Sequence, residues 1–182
     1  MKKINKIKLV TAFSLLFMAT SALTKTTDLT VFNKKISFDL PNEWQVVNKE
    51  VGIPLKLIGP LYNDRRPVVL FVPIDLKEEK LILDEKDNAL ASYKLGRLAW
   101  LQTFNGKSIS FLPISSYFTD NNRIEVLQFG HLYNFDNSNF EEKSFYVRCK
   151  KQTFHLKSLI LVEHLTHWTS TVKKLTDSFR CE

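Results

Sequence analysis

Four β-like segments follow one another at 108–117, 124–135, 143–150 and 153–162, parted only by the polar joints 120–122, 136–139 and 151–152. Joints this short cannot carry a crossover connection, so the segments must return as antiparallel neighbours. In the last pair Phe145, Val147 and Cys149 share one parity, and Phe154, Leu156, Ile160 and Val162 share another. Alternation of period two lets both rows face one layer. The chain then closes on its clearest helical pattern, Leu165, Trp168, Val172, Leu175 and Phe179 at steps of three and four. Such a stripe predicts a helix lying on the sheet.

Upstream, Ile36, Phe38 and Leu40 alternate with polar residues, and Pro41-Asn42-Glu43 turns the chain into a second run at 44–47. This predicts a strand, a tight turn and a second strand. The apolar runs 55–58 and 68–74 flank the polar stretch from Tyr62 to Pro67 and predict a hairpin with an exposed basic tip. A long helix is expected over 84–104, with Gly106 placed to stop it. Its stripe is Leu90, Leu98 and Leu101, broadened by Ala91, Leu95, Tyr93, Trp100 and Phe104 and interrupted by Lys94 and Arg97. The expected class is α+β, an antiparallel sheet flanked by the long helix and the C-terminal helix.

Residues 1–22 pair an early cluster of lysines with an apolar run over 9–19 and the small residues Thr20, Ser21 and Ala22. These are the parts of a cleavable signal peptide, and the run is too short to span a bilayer. One domain is expected over 23–182, periplasmic or secreted, with no membrane span. No cysteine precedes Cys149, so no lipid anchor is expected. Four of the 26 basic residues leave with the signal while all 19 acidic residues stay, reducing the charge from +7 to +3. That removes most of the electrostatic case for nucleic acid. Two cysteines in an exported chain allow one pairing, Cys149 with Cys181, which would staple the closing helix to the strand beneath it.

The run Ile36-Ser37-Phe38-Asp39-Leu40-Pro41-Asn42-Glu43-Trp44 resembles the opening of PsbP/Mog/DcrB-like domains, and the run from Trp168 to Phe179 resembles their last helix. The resemblance implies an αβα sandwich, and a binding or assembly factor with no shared catalytic set. Glu43 stands where that family usually has glycine before the tryptophan.

Catalytic patterns are sparse. Gly52, Gly59, Gly96, Gly106 and Gly130 are never four apart, which excludes the nucleophile elbow, the P-loop and the dinucleotide fingerprint. His164 and His167, with Glu163 adjacent, have a spacing able to face one ion, but two ligands do not make a site. His131 and His155 sit in strands and read as structural, while at Lys77-Glu78-Glu79-Lys80 and Glu141-Glu142 the sequence does not separate paired carboxylates for glycoside hydrolysis from a solvated rim. No catalytic, cofactor or metal residues are therefore expected. The partner is expected to be a protein or envelope component, met by the hairpin tip at Tyr62, Arg65 and Arg66, where an aromatic lies beside arginines. Two alternatives stand: a periplasmic metal-dependent hydrolase using His164, His167 and a distant third ligand, and a small-molecule carrier with an aromatic cleft at Tyr93, Trp100 and Phe104.

Overall fold

A computed structural model describes residues 24–31, 34–50, 53–119, 123–149 and 152–181. The signal assignment at 1–22 lies outside them. In chain order the elements are β1 (Thr24–Val31), β2 (Lys34–Pro41), β3 (Gln45–Glu50), β4 (Ile53–Ile58), β5 (Val68–Val72), α1 (Leu76–Asp84), α2 (Lys86–Thr103), β6 (Lys107–Phe118), β7 (Glu125–Phe135), β8 (Ser138–Cys149), β9 (Gln152–Leu161), α3 (Leu165–Asp177) and β10 (Arg180–Cys181). A single 3-10 turn, Val162–His164, joins β9 to α3. The architecture is mostly β-sheet with a few helices.

Seven strands form an antiparallel sheet in the order β3-β4-β5-β9-β8-β7-β6, and β1-β2-β10 form a second, smaller one. Period-two alternation gives the large sheet two apolar rows. Leu57, Phe71, Val126, Phe145, Val147, Phe154 and Leu156 join a core cluster with Ile36 and Phe38 of β2 and with Trp168, Val172, Leu175 and Phe179 at the C-terminus. Leu127, Phe129 and Tyr146, of the opposite parity, cluster with Ile82 of α1 and Ala89 of α2. Phe179 stacks at 6.3 Å on both Phe38 and Phe71, so the residue just past α3 is gripped between the two sheets.

The structure refines several expectations. Strand β3, after the turn, pairs with β4, whereas β2 pairs with β1 and β10 in the smaller sheet. Its inward residues Ile36 and Phe38 cover the large sheet as a second layer instead of extending it, and Trp44 drops into the core between. The acidic run 77–80 belongs to α1, whose N-cap Asp75 accepts the Glu78 amide at 2.7 Å. Helix α2 keeps part of its expected stripe, with Leu101 buried and Leu90 and Tyr93 packed on the core, while Leu95, Leu98 and Phe104 are 70, 44 and 52 % exposed. Tyr93 and Arg97 face the sheet because both bond Glu142. Glu141 and Glu142 are no rim. Asp136 and Asn137 both have positive φ, which makes a two-residue hairpin turn and starts β8 at Ser138, so both carboxylates are buried in the strand.

Cys149, at the end of β8, is joined to Cys181 of β10. Because Cys181 pairs with Ile36 rather than continuing α3, the bridge ties the small sheet to the large one. It links residues 32 apart in sequence. Replacing both cysteines by serine is expected to cost about 3 kcal/mol. For a chain of this size that lowers the melting temperature by about 6 to 12 °C in calorimetry. Equal melting of the variant and the reduced and oxidised wild type would show that the bridge constrains nothing.

Candidate functional site

The β4-β5 hairpin ends in a tight turn because Asn63 and Asp64 both take positive φ, which brings Tyr62 and Arg65 into mutual backbone bonds at 2.8 and 3.1 Å. At its base the Gly59 amide bonds the Pro67 carbonyl at 2.9 Å, and Arg66 donates from Nη1 to the Gly59 carbonyl at 3.0 Å. A side chain at position 59 would collide with Pro67 and crowd Trp44, so glycine is required for this close approach.

Strand order decides what the tip meets. Strand β5 pairs with β9, with Val68 opposite Leu159, so residues just before Val68 lie beside the turn that leads into α3. There Tyr62 stacks on His167, with ring centres 4.4 Å apart, and meets His164 edge-on at 4.9 Å. Trp168 stands 6.3 Å from Tyr62 and 6.1 Å from Trp44. The tip residues and the histidine pair, separate features in the sequence, thus form one place.

Behind this aromatic cluster lies a cavity of about 410 Å³, walled by Arg65, Arg66, Phe140, Leu161, His164 and Trp168. Arg65 and Arg66 are exposed at its rim, whereas His164 and Trp168 are buried. Neither His164 Nε2 nor Trp168 Nε1 has a hydrogen-bond partner. Glu163 Oε1 approaches His164 Nε2 only to 3.6 Å, an ion-pair distance. Among the described residues no three His, Cys, Asp or Glu side chains converge, so the third ligand that a hydrolase centred on His164 and His167 needs is not supplied there.

A second cavity, about 270 Å³, lies under α1 and α2, with Glu78, Tyr93, Phe129, Tyr146, His155 and Lys157 in its wall. Of the aromatic cleft expected from the sequence only Tyr93 lines it. Trp100 packs on Tyr133 and Phe135, and Phe104 faces solvent. Beside the cavity Ser144 Oγ lies 3.1 Å from His155 Nε2, and His155 Nδ1 lies 3.7 Å from Glu78 Oε1. That order copies a hydrolytic triad, but Ser144 is fully buried where no substrate carbonyl can reach it. Burial, aided by Lys157, also holds the His155 imidazole down to about 3, a poor base at neutral pH. His131 likewise bonds Ser108 at 3.0 Å and is lowered to about 4 by burial and by Arg97.

Sequence reasoning missed Trp168 as part of the site, reading it only as a core residue; its buried indole N–H has no local signature. The cluster around Glu142 was also missed, because its donors come from α2 and β9.

These layers define a PsbP-like fold. The chain is similar to the cyanobacterial PsbP (CyanoP) of Synechocystis, with a TM-score of 0.58 and 9 % identity over 90 % of this chain and 96 % of that one. It is similar also to LpqN of Mycobacterium tuberculosis, a protein involved in cell envelope biogenesis, with a TM-score of 0.56 and 10 % identity over 86 % and 90 % of the two chains. The Ran-binding protein Mog1p of Saccharomyces cerevisiae superposes more loosely, at a TM-score of 0.44 and 6 % identity over 87 % and 96 %. No protein-family model matches the sequence, and no curated protein does.

Proposed function

We propose that this chain is an exported, non-catalytic binding or assembly protein of the bacterial cell envelope, made of a cleavable signal at 1–22 and one αβα domain over 23–182, and that it meets a partner protein through Tyr62, Arg65 and Arg66. The observation that carries this reading is the convergence of the tip with His167 and Trp168 around an open cavity edged by two exposed arginines. Aromatic anchors beside arginines are the composition of protein interfaces. The disulfide suits an oxidising compartment. The envelope role of LpqN, which shares the fold, is compatible with this reading.

Crosslinking in living cells tests it. A photoreactive residue at position 65 is expected to trap one discrete envelope protein, and the same residue at Gln102, exposed on α2, is expected not to. Reversing both charges, Arg65→Glu with Arg66→Glu, should abolish a product trapped from Tyr62. Indistinguishable products from positions 65 and 102 would remove the tip as a specific face. A carrier function is favoured by the cavity under α1 and α2; a stoichiometric small molecule retained in native mass spectrometry would support that reading instead.

A further inference from the structure

We infer that the cavity behind the hairpin tip receives a peptide segment of the partner that places one carboxylate between apolar side chains. This rests on the tip being a protein-binding face and adds what that face recognises. Among the described residues six buried side-chain polar atoms lack a hydrogen-bond partner, and two of them, His164 Nε2 and Trp168 Nε1, belong to residues that wall this one cavity. Buried polar atoms are almost always satisfied, so a pair left open around a void calls for a ligand that satisfies them. An indole N–H donates only, which sets the first requirement: the ligand brings an acceptor into the cavity.

Charge sets the second requirement. Arg65 and Arg66 line the cavity from the exposed tip, and the bond from Arg66 Nη1 to Gly59 steadies one guanidinium while its other donors remain for a ligand. A guanidinium with free donors grips a carboxylate through paired bonds. Asp64 in the same wall and Glu163 beside His164 limit the surplus of positive charge, which favours a single carboxylate over an acidic cluster. The rest of the wall, including Leu61, Pro67, Phe140 and Leu161, is apolar. A volume of about 410 Å³ suits a few side chains. A hydrocarbon chain would fill that space and leave the indole N–H and the imidazole nitrogen without a hydrogen-bond partner, whereas a peptide carries a carbonyl at every residue.

The test is a titration of the isotope-labelled mature protein, following the assigned Trp168 indole N–H by NMR, with three probes. They are a capped hexapeptide bearing one aspartate between leucines, the same peptide with asparagine, and decanoate. The aspartate peptide is expected to bind saturably and move the Trp168 resonance downfield. The asparagine peptide should bind about tenfold more weakly, the loss of one charge-assisted contact. Arg65→Gln and Arg66→Gln together should cost the aspartate peptide a similar factor and leave the asparagine peptide unchanged. An unmoved Trp168 signal at millimolar peptide, equal binding of the two peptides, or a shift with decanoate in preference to peptide would each overturn the inference. Failure here with position-65 crosslinking intact removes the peptide class alone. Loss of crosslinking at the tip removes the face itself.

Discussion

Acidification from pH 7 to pH 4 is expected to strip this protein of about 5 kcal/mol of stability, most of it through two buried histidines. In the unfolded chain both imidazoles titrate near the ordinary value of about 6.5. In the fold, burial holds His155 down to about 3 and His131 to about 4. Between those limits the unfolded state binds more protons than the native one, so stability is complete above about 6.5 and falls as pH drops toward the native values. The surroundings agree with this sign. His155 sits beside Ser144 and Tyr146 of β8, with Lys157 opposing a second positive charge and Glu78 of α1 at 3.7 Å. His131 is stacked on Phe111, with Arg97 disfavouring its proton more than Glu142 favours it. Glu78 works the other way: burial raises its carboxyl, so the native state takes that proton first and recovers part of the loss. Urea denaturation at pH 7, 5.5 and 4 reads the slope. His155→Gln, which keeps an amide within reach of Ser144, should lose stability at pH 7 but flatten the acid slope, and His131→Gln should do the same. A denaturation midpoint that does not move between pH 7 and 4, or imidazole resonances titrating near 6.5 in the native state, would refute the assignment.

What was legible in the sequence followed from how local its cause is. Strands β7 and β9 and helix α3 announce themselves because apolar side chains recur at the period of the element that buries them, whereas β6 buries none of its side chains fully and is marked only by the short polar joint to β7. Strand β1 does not announce itself: Thr24–Val31 contributes mainly Leu29 and Val31 to the core and is otherwise polar. The onset of β8 was hidden because nothing in the sequence marks Glu141 and Glu142 as buried. Their burial depends on Lys143, 2.9 Å from Glu141, and on Arg97 of α2, 3.0 Å from Glu142. With Arg97 facing the sheet, Leu95 and Leu98 are left exposed while Leu101 stays buried. At the candidate site Tyr62, Arg65, Arg66, His164 and His167 were each visible as residue types. Their meeting was not, because it is set by β5 pairing with β9, a contact between segments about ninety residues apart. The fold-level resemblance, carried by the runs 36–44 and 168–179, includes Ile36, Phe38, Trp44, Trp168, Val172, Leu175 and Phe179, which all pack in one core cluster.

The link between Arg97 and Glu142 is expected to hold α2 in place, and breaking it on one side only is expected to cost about 3 to 5 kcal/mol. Glu142 is 5 % exposed and gathers Arg97 at 3.0 Å, the Tyr93 hydroxyl at 3.0 Å and Lys157 at 3.6 Å. Burial and the facing Glu142 keep the Tyr93 phenol well above its ordinary range, so it stays a donor. Arg97 also lies over the Trp100 ring at 4.4 Å. Helix α2 buries only Ala89 and Leu101 fully, so its seat on the sheet depends on these polar contacts more than on apolar area. Arg97→Met leaves the Glu142 charge buried with Lys157 as the one remaining cation within 4 Å among the described residues, which puts the cost near the lower end of that range. Adding Glu142→Leu removes the stranded charge, and the double variant should regain most of the loss, because a buried pair exchanged for apolar groups of similar volume is close to neutral. Denaturant titration of the four corners of this cycle gives the coupling. Hydrogen exchange locates it, with α2 amides in Arg97→Met expected to exchange well before those of β8 and β9. A double variant no more stable than Arg97→Met, or a single variant whose α2 amides stay as protected as the sheet, would show that the helix is held by packing and not by charge.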